Sequence, residues 1–93
     1  MGSKKHRVLQ QNGKTYSIRL ISGSKFFFMQ VIQCVSFPQN CYFFTRWGRI
    51  DTKGQTGCLG PHPIKTAINL YESKYSDKYN KEHFREENSN TEI

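Results

Sequence analysis

Ninety-three residues carry 14 Lys and Arg against 7 Asp and Glu, a formal charge of +7. A chain of this length makes one small domain that buries only about 60–65% of its unfolded surface, which leaves no room for a large catalytic unit. No stretch approaches the ~18 consecutive apolar residues of a membrane span and the N-terminus lacks an apolar signal region, so a soluble, intracellular, membrane-free domain is expected. Three cysteines, an odd number, fit free thiols better than a disulfide framework. The charge is uneven: residues 1–65 hold ten basic residues and one acid, Asp51, a balance of +9, while residues 66–93 hold four basic and six acidic, a balance of −2. Such asymmetry favours a polyanionic partner for the first two thirds of the chain.

Taken in order, residues 1–6 read as a flexible N-terminus, and Lys4-Lys5-His6-Arg7 is too short for a nuclear-import signal. Val8-Leu9-Gln10-Gln11 and residues 14–20 flank Asn12-Gly13, whose positive φ angles suit a tight β-hairpin turn. Tyr16, Ile18 and Leu20 fall on one face of the second strand, and Thr15, Ser17 and Arg19 on the other. Ser22-Gly23-Ser24 breaks the strand, and residues 25–35 follow as an aromatic and β-branched run that reads as a central strand. Phe37-Pro38-Gln39-Asn40 is the next turn. Residues 41–50 alternate, placing Tyr42, Phe44 and Arg46 on one side and Phe43, Thr45 and Trp47 on the other. A short strand is expected at 55–59, and Gly60-Pro61-His62-Pro63 then marks the change to helix, with Pro63 at the first helical position. Ile64, Ala67, Ile68, Tyr71 and Tyr75 form one apolar helical stripe. Residues 85–93 are polar and acidic and are expected to be a disordered tail, leaving 7–84 as the folded domain.

The chemistry concentrates in Thr45-Arg46-Trp47-Gly48-Arg49-Ile50, where the single tryptophan stands between two arginines. An aromatic face with guanidinium forks beside it can stack on a sugar or base and grip phosphate at once. The competing reading makes Trp47 a core residue that ends a strand, with Arg46 and Arg49 solvated. Gly48 relieves the strand through a bulge or lets a ligand approach the backbone. With the aromatic strand Tyr42-Phe43-Phe44 before it and Asp51-Thr52-Lys53-Gly54-Gln55 after it, the segment resembles the WGR (Trp-Gly-Arg) domain, the DNA-break-sensing module of poly(ADP-ribose) polymerases. The likeness extends to the opening hairpin, to Lys25-Phe26-Phe27-Phe28-Met29-Gln30-Val31 and to the helix, about residues 7–84. It departs at Asp51, where the family usually has glycine and where a carboxylate beside Arg49 would weaken a phosphate contact. It departs again at the short Ile21-Ser22-Gly23-Ser24 link.

The fold expected is α+β, an antiparallel sheet of about five strands with one helix packed on a face. The resemblance implies a non-catalytic, nuclear, monomeric module that binds DNA strand breaks without reading sequence. By motif position Trp47 packs on the sugar at a 5′ end and Arg49 contacts the backbone there. Arg46, Lys53, Arg19 and Lys25, with Gly48 between the signature residues, complete the DNA-binding set on the cationic sheet. The alternative is an interaction module that relays a signal to the catalytic or helical domain of a polymerase through Arg49. No metal or cofactor is called for: Cys34, Cys41, Cys58 and His62 lack the paired C-x₂₋₄-C spacing of structural zinc. Phe26-Phe27-Phe28 reads first as core and second as a stacking platform. Lys74, Lys78, Lys81 and Arg85, interrupted by Glu72, Asp77, Glu82 and Glu86, read as a salt-bridged solvated helix face.

Overall fold

The long aromatic run becomes the axis of the sheet. In the computed structural model, which describes residues 5–86, the chain runs through β1 (His6–Val8), β2 (Gln10–Gln11), β3 (Lys14–Thr15), β4 (Ser17–Ser22), β5 (Lys25–Cys34), β6 (Cys41–Arg49), β7 (Gln55–His62), α1 (Ile64–Asn80) and β8 (Arg85–Glu86). One edge of β5 pairs with β6 along almost its whole length, from Lys25 opposite Arg49 to Gln33 opposite Cys41. Its other edge is shared in series: β4 covers residues 25–30 and β1 covers residues 32–34. The sheet runs β7-β6-β5-β4-β8, all antiparallel, as an α+β fold with one helix.

Alternation on these strands sorts the side chains into two faces. Leu20, Phe27, Met29, Val31, Cys41 and Phe43 point towards α1, where Ala67 and Tyr71 meet them and Ile64, Ile68 and Tyr75 pack alongside. Leu20, Met29, Val31 and Cys41 are fully enclosed. Burying each large apolar side chain contributes about 1.5–3 kcal/mol, so this one layer holds the small domain together. Phe84, just past the helix, closes the same core. The other face carries Phe28, Ile32, Tyr42 and Phe44, all half-buried.

The first hairpin differs from the sequence reading. Residues 8–11 do not form one strand; Val8 belongs to β1 on the main sheet, and only Gln10 and Gln11 pair with Thr15 and Lys14 across Asn12 (φ 56) and Gly13 (φ 77). Leu9, Tyr16 and Val31 exchange backbone bonds at the junction, so the hairpin folds away from the sheet where β1 hands over to β4. Lys14 then reaches Glu72 on α1 at 2.7 Å and lies 4.9 Å from the Tyr16 ring, which meets Tyr71 edge to face.

Four boundaries also move. The last long strand continues through Gly60, Pro61 and His62 rather than stopping at 59, with a register shift between Cys41 and Phe43 absorbing one extra residue. Pro63 is the N-cap of α1 and not its first turn. His6 lies in β1 rather than in a free N-terminus, and Arg85 and Glu86 pair with Ile21 and Leu20 rather than opening the tail. The rest of the expected tail, 87–93, and residues 1–4 lie outside the described residues.

Candidate nucleic-acid interface

Trp47 lies on the helix side of the sheet, directly opposite Phe27 on β5 and Gln55 on β7. Its ring is tilted 31° to that of Phe27 with centroids 6.3 Å apart. On the β7 side it lies beside Gly57, where an added Cβ would meet indole Cζ3 and Cη2 at ordinary contact distances of 3.6 and 3.7 Å. With Phe27 on one side and β7 on the other the residue is still 37% exposed, so it is neither closed in the core nor loose on the surface. It separates two grooves. One, of about 370 Å³, runs over Phe43, Thr45, Gly57 and Leu59 to Lys74 and Lys78. The other, of about 530 Å³, runs over Lys25, Gly48 and Arg49 to Glu82 and Phe84.

The cations around Trp47 are set by register. Because the link between β4 and β5 is only the Gly23-Ser24 turn, Lys25 starts β5 and falls opposite Arg49, two residues from Trp47 on the same face. From above, α1 supplies Lys74 and Lys78. Lys78 is held, with its Nζ 4.5 Å from the Phe27 ring centre, 5.3 Å from that of Phe84 and 3.1 Å from Glu82. Lys25, Arg49 and Lys74 form no salt bridge among the described residues, and Asp51, beside Arg49 in sequence, does not pair with it. An exposed ring between unpaired cations suits a sugar-phosphate end, where apolar stacking and anion contact are wanted within a few ångströms.

Backbone packing fixes the signature loop from behind. Gly48 (φ 156) and Gly54 (φ 76) lie against each other: a Cβ on Gly48 would stand 2.8 Å from Gly54 Cα, and one on Gly54 would collide with the Trp47 carbonyl. The backbone that approaches Gly48 is thus the chain's own, which gives that glycine a structural reason independent of any ligand. Thr52 caps the turn, its N–H and hydroxyl both donating to the Arg49 carbonyl, and the Ile50 N–H donates to Ser24.

The seven residues singled out from the sequence do not converge. Trp47, Arg49 and Lys25 share one face with Gly48 beside them; Arg46 and Arg19 point the opposite way, in one cross-strand row with Phe28. Arg19 lies over the Phe26 ring at 4.7 Å. Lys53 stands exposed in the loop of residues 50–54. Lys74 and Lys78, read from the sequence as part of a salt-bridged solvated helix face, line the groove beside Trp47. Two of the helix pairings expected from sequence do form, Lys78 with Glu82 and Lys81 with Asp77, yet Lys74 pairs with nothing among the described residues. The signal available was its i, i+4 spacing from Lys78 without an acid at 70.

A profile of the WGR domain matches residues 10–91. The chain belongs to the WGR domain family. Among curated proteins it is similar to poly [ADP-ribose] polymerase 2 of Arabidopsis thaliana, 32% identical over 80 residues. That match covers 78% of this WGR chain and 12% of the polymerase, so what the two share is a module and not the whole enzyme.

Proposed function

We propose that this WGR domain is a non-catalytic nuclear module that binds DNA at strand breaks, with Trp47 packing on the sugar at a 5′ end and Arg49 contacting the adjacent backbone. The observation that carries the reading is that Trp47, supported by Phe27, is still 37% exposed, with Lys25 and Arg49 on one side and Lys74 on the other, none of them salt-bridged among the described residues. These cations reach phosphate before base edges, so binding is blind to sequence. Arg46 and Arg19 fall on the opposite face of the sheet from this end-binding surface. The likeness to a poly(ADP-ribose) polymerase supports a role in regulating such an enzyme, and the exposed Arg49, without a salt bridge among the described residues, supports a second use of the same face, docking on the catalytic or helical region of a polymerase.

The test is a titration against nicked, blunt-ended and covalently closed circular duplexes over a range of salt. Ends are expected to be preferred over closed circles. If Lys25, Arg49 and Lys74 each neutralise one phosphate, log K falls with log[salt] at a slope of about −2.7. Equal affinity for closed circles, or binding that ignores salt, would refute the reading.

A further inference from the structure

The sheet has a second face that the end-binding reading does not use. On β6, Tyr42, Phe44 and Arg46 project from it at every second residue, hence roughly 7 Å apart along the strand. Phe28 meets Phe44 edge to face with ring centroids 6.3 Å apart, Tyr42 meets His6 in the same way at 5.8 Å, and the three aromatic rings are half-buried. Concavities lie at both ends, one lined by Arg19, Phe28 and Arg46 and the other by Ile32 and Tyr42. β1 and β4 to β7 contain no Asp or Glu. A protein partner with an apolar patch would need no cation at the end of this row, whereas a strand of unpaired nucleotides needs rings at roughly regular spacing and a positive flank for its phosphates.

We propose that this open face is a binding platform for single-stranded DNA, with Phe28, Phe44 and Tyr42 stacking on successive bases and Arg46 holding the backbone. It goes beyond the end-binding reading, because Trp47 and Arg49 point to the opposite side of the sheet. Stacking of this kind is tolerant of sequence, since every base has a π-face.

A covalently closed circle of oligo(dT) separates the two surfaces, for it has neither a 5′ end nor a duplex. The 93-residue chain is expected to bind it in a salt-dependent manner. Phe44→Ala is expected to weaken that binding roughly 5- to 150-fold, the stacking range converted at tenfold per 1.4 kcal/mol. Arg46→Ala, a change at an exposed residue that leaves the core untouched, is expected to lower the salt slope by about 0.7. Trp47→Ala and Arg49→Ala are expected to leave circle binding unchanged. The proposal is overturned if the circle is not bound, if Trp47→Ala abolishes its binding, if Arg46→Ala leaves the slope unchanged, if only an RNA circle binds, or if sedimentation shows the face occupied by a second copy that DNA does not displace. A preference for nicked duplex that survives loss of circle binding would refute this platform alone.

Discussion

The backbone that carries Trp47 is fixed by two glycines. Gly48 and Gly54 let the loop of residues 50–54 close against the back of the signature strand. Gly54→Ala puts a Cβ into the Trp47 carbonyl at a positive φ, where relief requires the backbone itself to move. Strain of this kind costs at least about 1–3 kcal/mol, and a domain of this size loses about 4–8 °C in Tm per kcal/mol. Thermal unfolding of Gly54→Ala is expected to show that loss, and an unchanged Tm would mean that the loop does not pack as described. The alternation of residues 41–50 made the opposed directions of Trp47 and Arg46 legible in the sequence. The partner of Gly48 was not legible, because a contact between two glycine backbones leaves no side-chain pattern to read.

Among the elements, the apolar stripe of α1 and the long central strand could be read because both have strong periodicity. β8 could not: two polar residues, Arg85 and Glu86, carry no period and owe their place to Phe84 entering the core just before them. Glu86 is clasped by the Tyr75 hydroxyl, which donates to its carboxylate at 2.8 Å and joins β8 to α1. That bond, with some burial, raises the Tyr75 phenol to about 12, and burial with the nearby Glu72 and Glu86 carboxylates pushes Tyr71 up as well. An acid that holds its proton more tightly when folded stabilises the fold fully below its unfolded value near 10, and this contribution is lost as pH rises through about 12. Stability is therefore expected to fall above about pH 10, and less steeply in Tyr75→Phe, which has no proton to lose. Denaturant unfolding of both proteins between pH 8 and 12 measures this; parallel pH profiles would show that the clasp contributes nothing.

Across the whole molecule, the charge is organised by face and element in a way that composition only outlines. The excess of +9 over residues 1–65 correctly marked the sheet as the cationic part, but a count cannot say that Arg19 and Arg46 are turned away from Trp47 while α1 lends Lys74 and Lys78 to it. Sorting them required the register of β4, β5 and β6, and the docking of α1 across Phe27 and Phe43 required the tertiary fold. The central claim, that Trp47 serves DNA ends more than it serves the core, is tested by measuring thermal stability and end binding on the same Trp47→Ala protein. A residue already 37% exposed should cost well under the ~3–5 kcal/mol of a buried tryptophan, so the variant is expected to remain folded. It is expected to lose about 1–3 kcal/mol of affinity for nicked duplex while its weak binding to closed circles persists. A folded Trp47→Ala protein that still prefers nicked to closed DNA as strongly as the parent would contradict the claim.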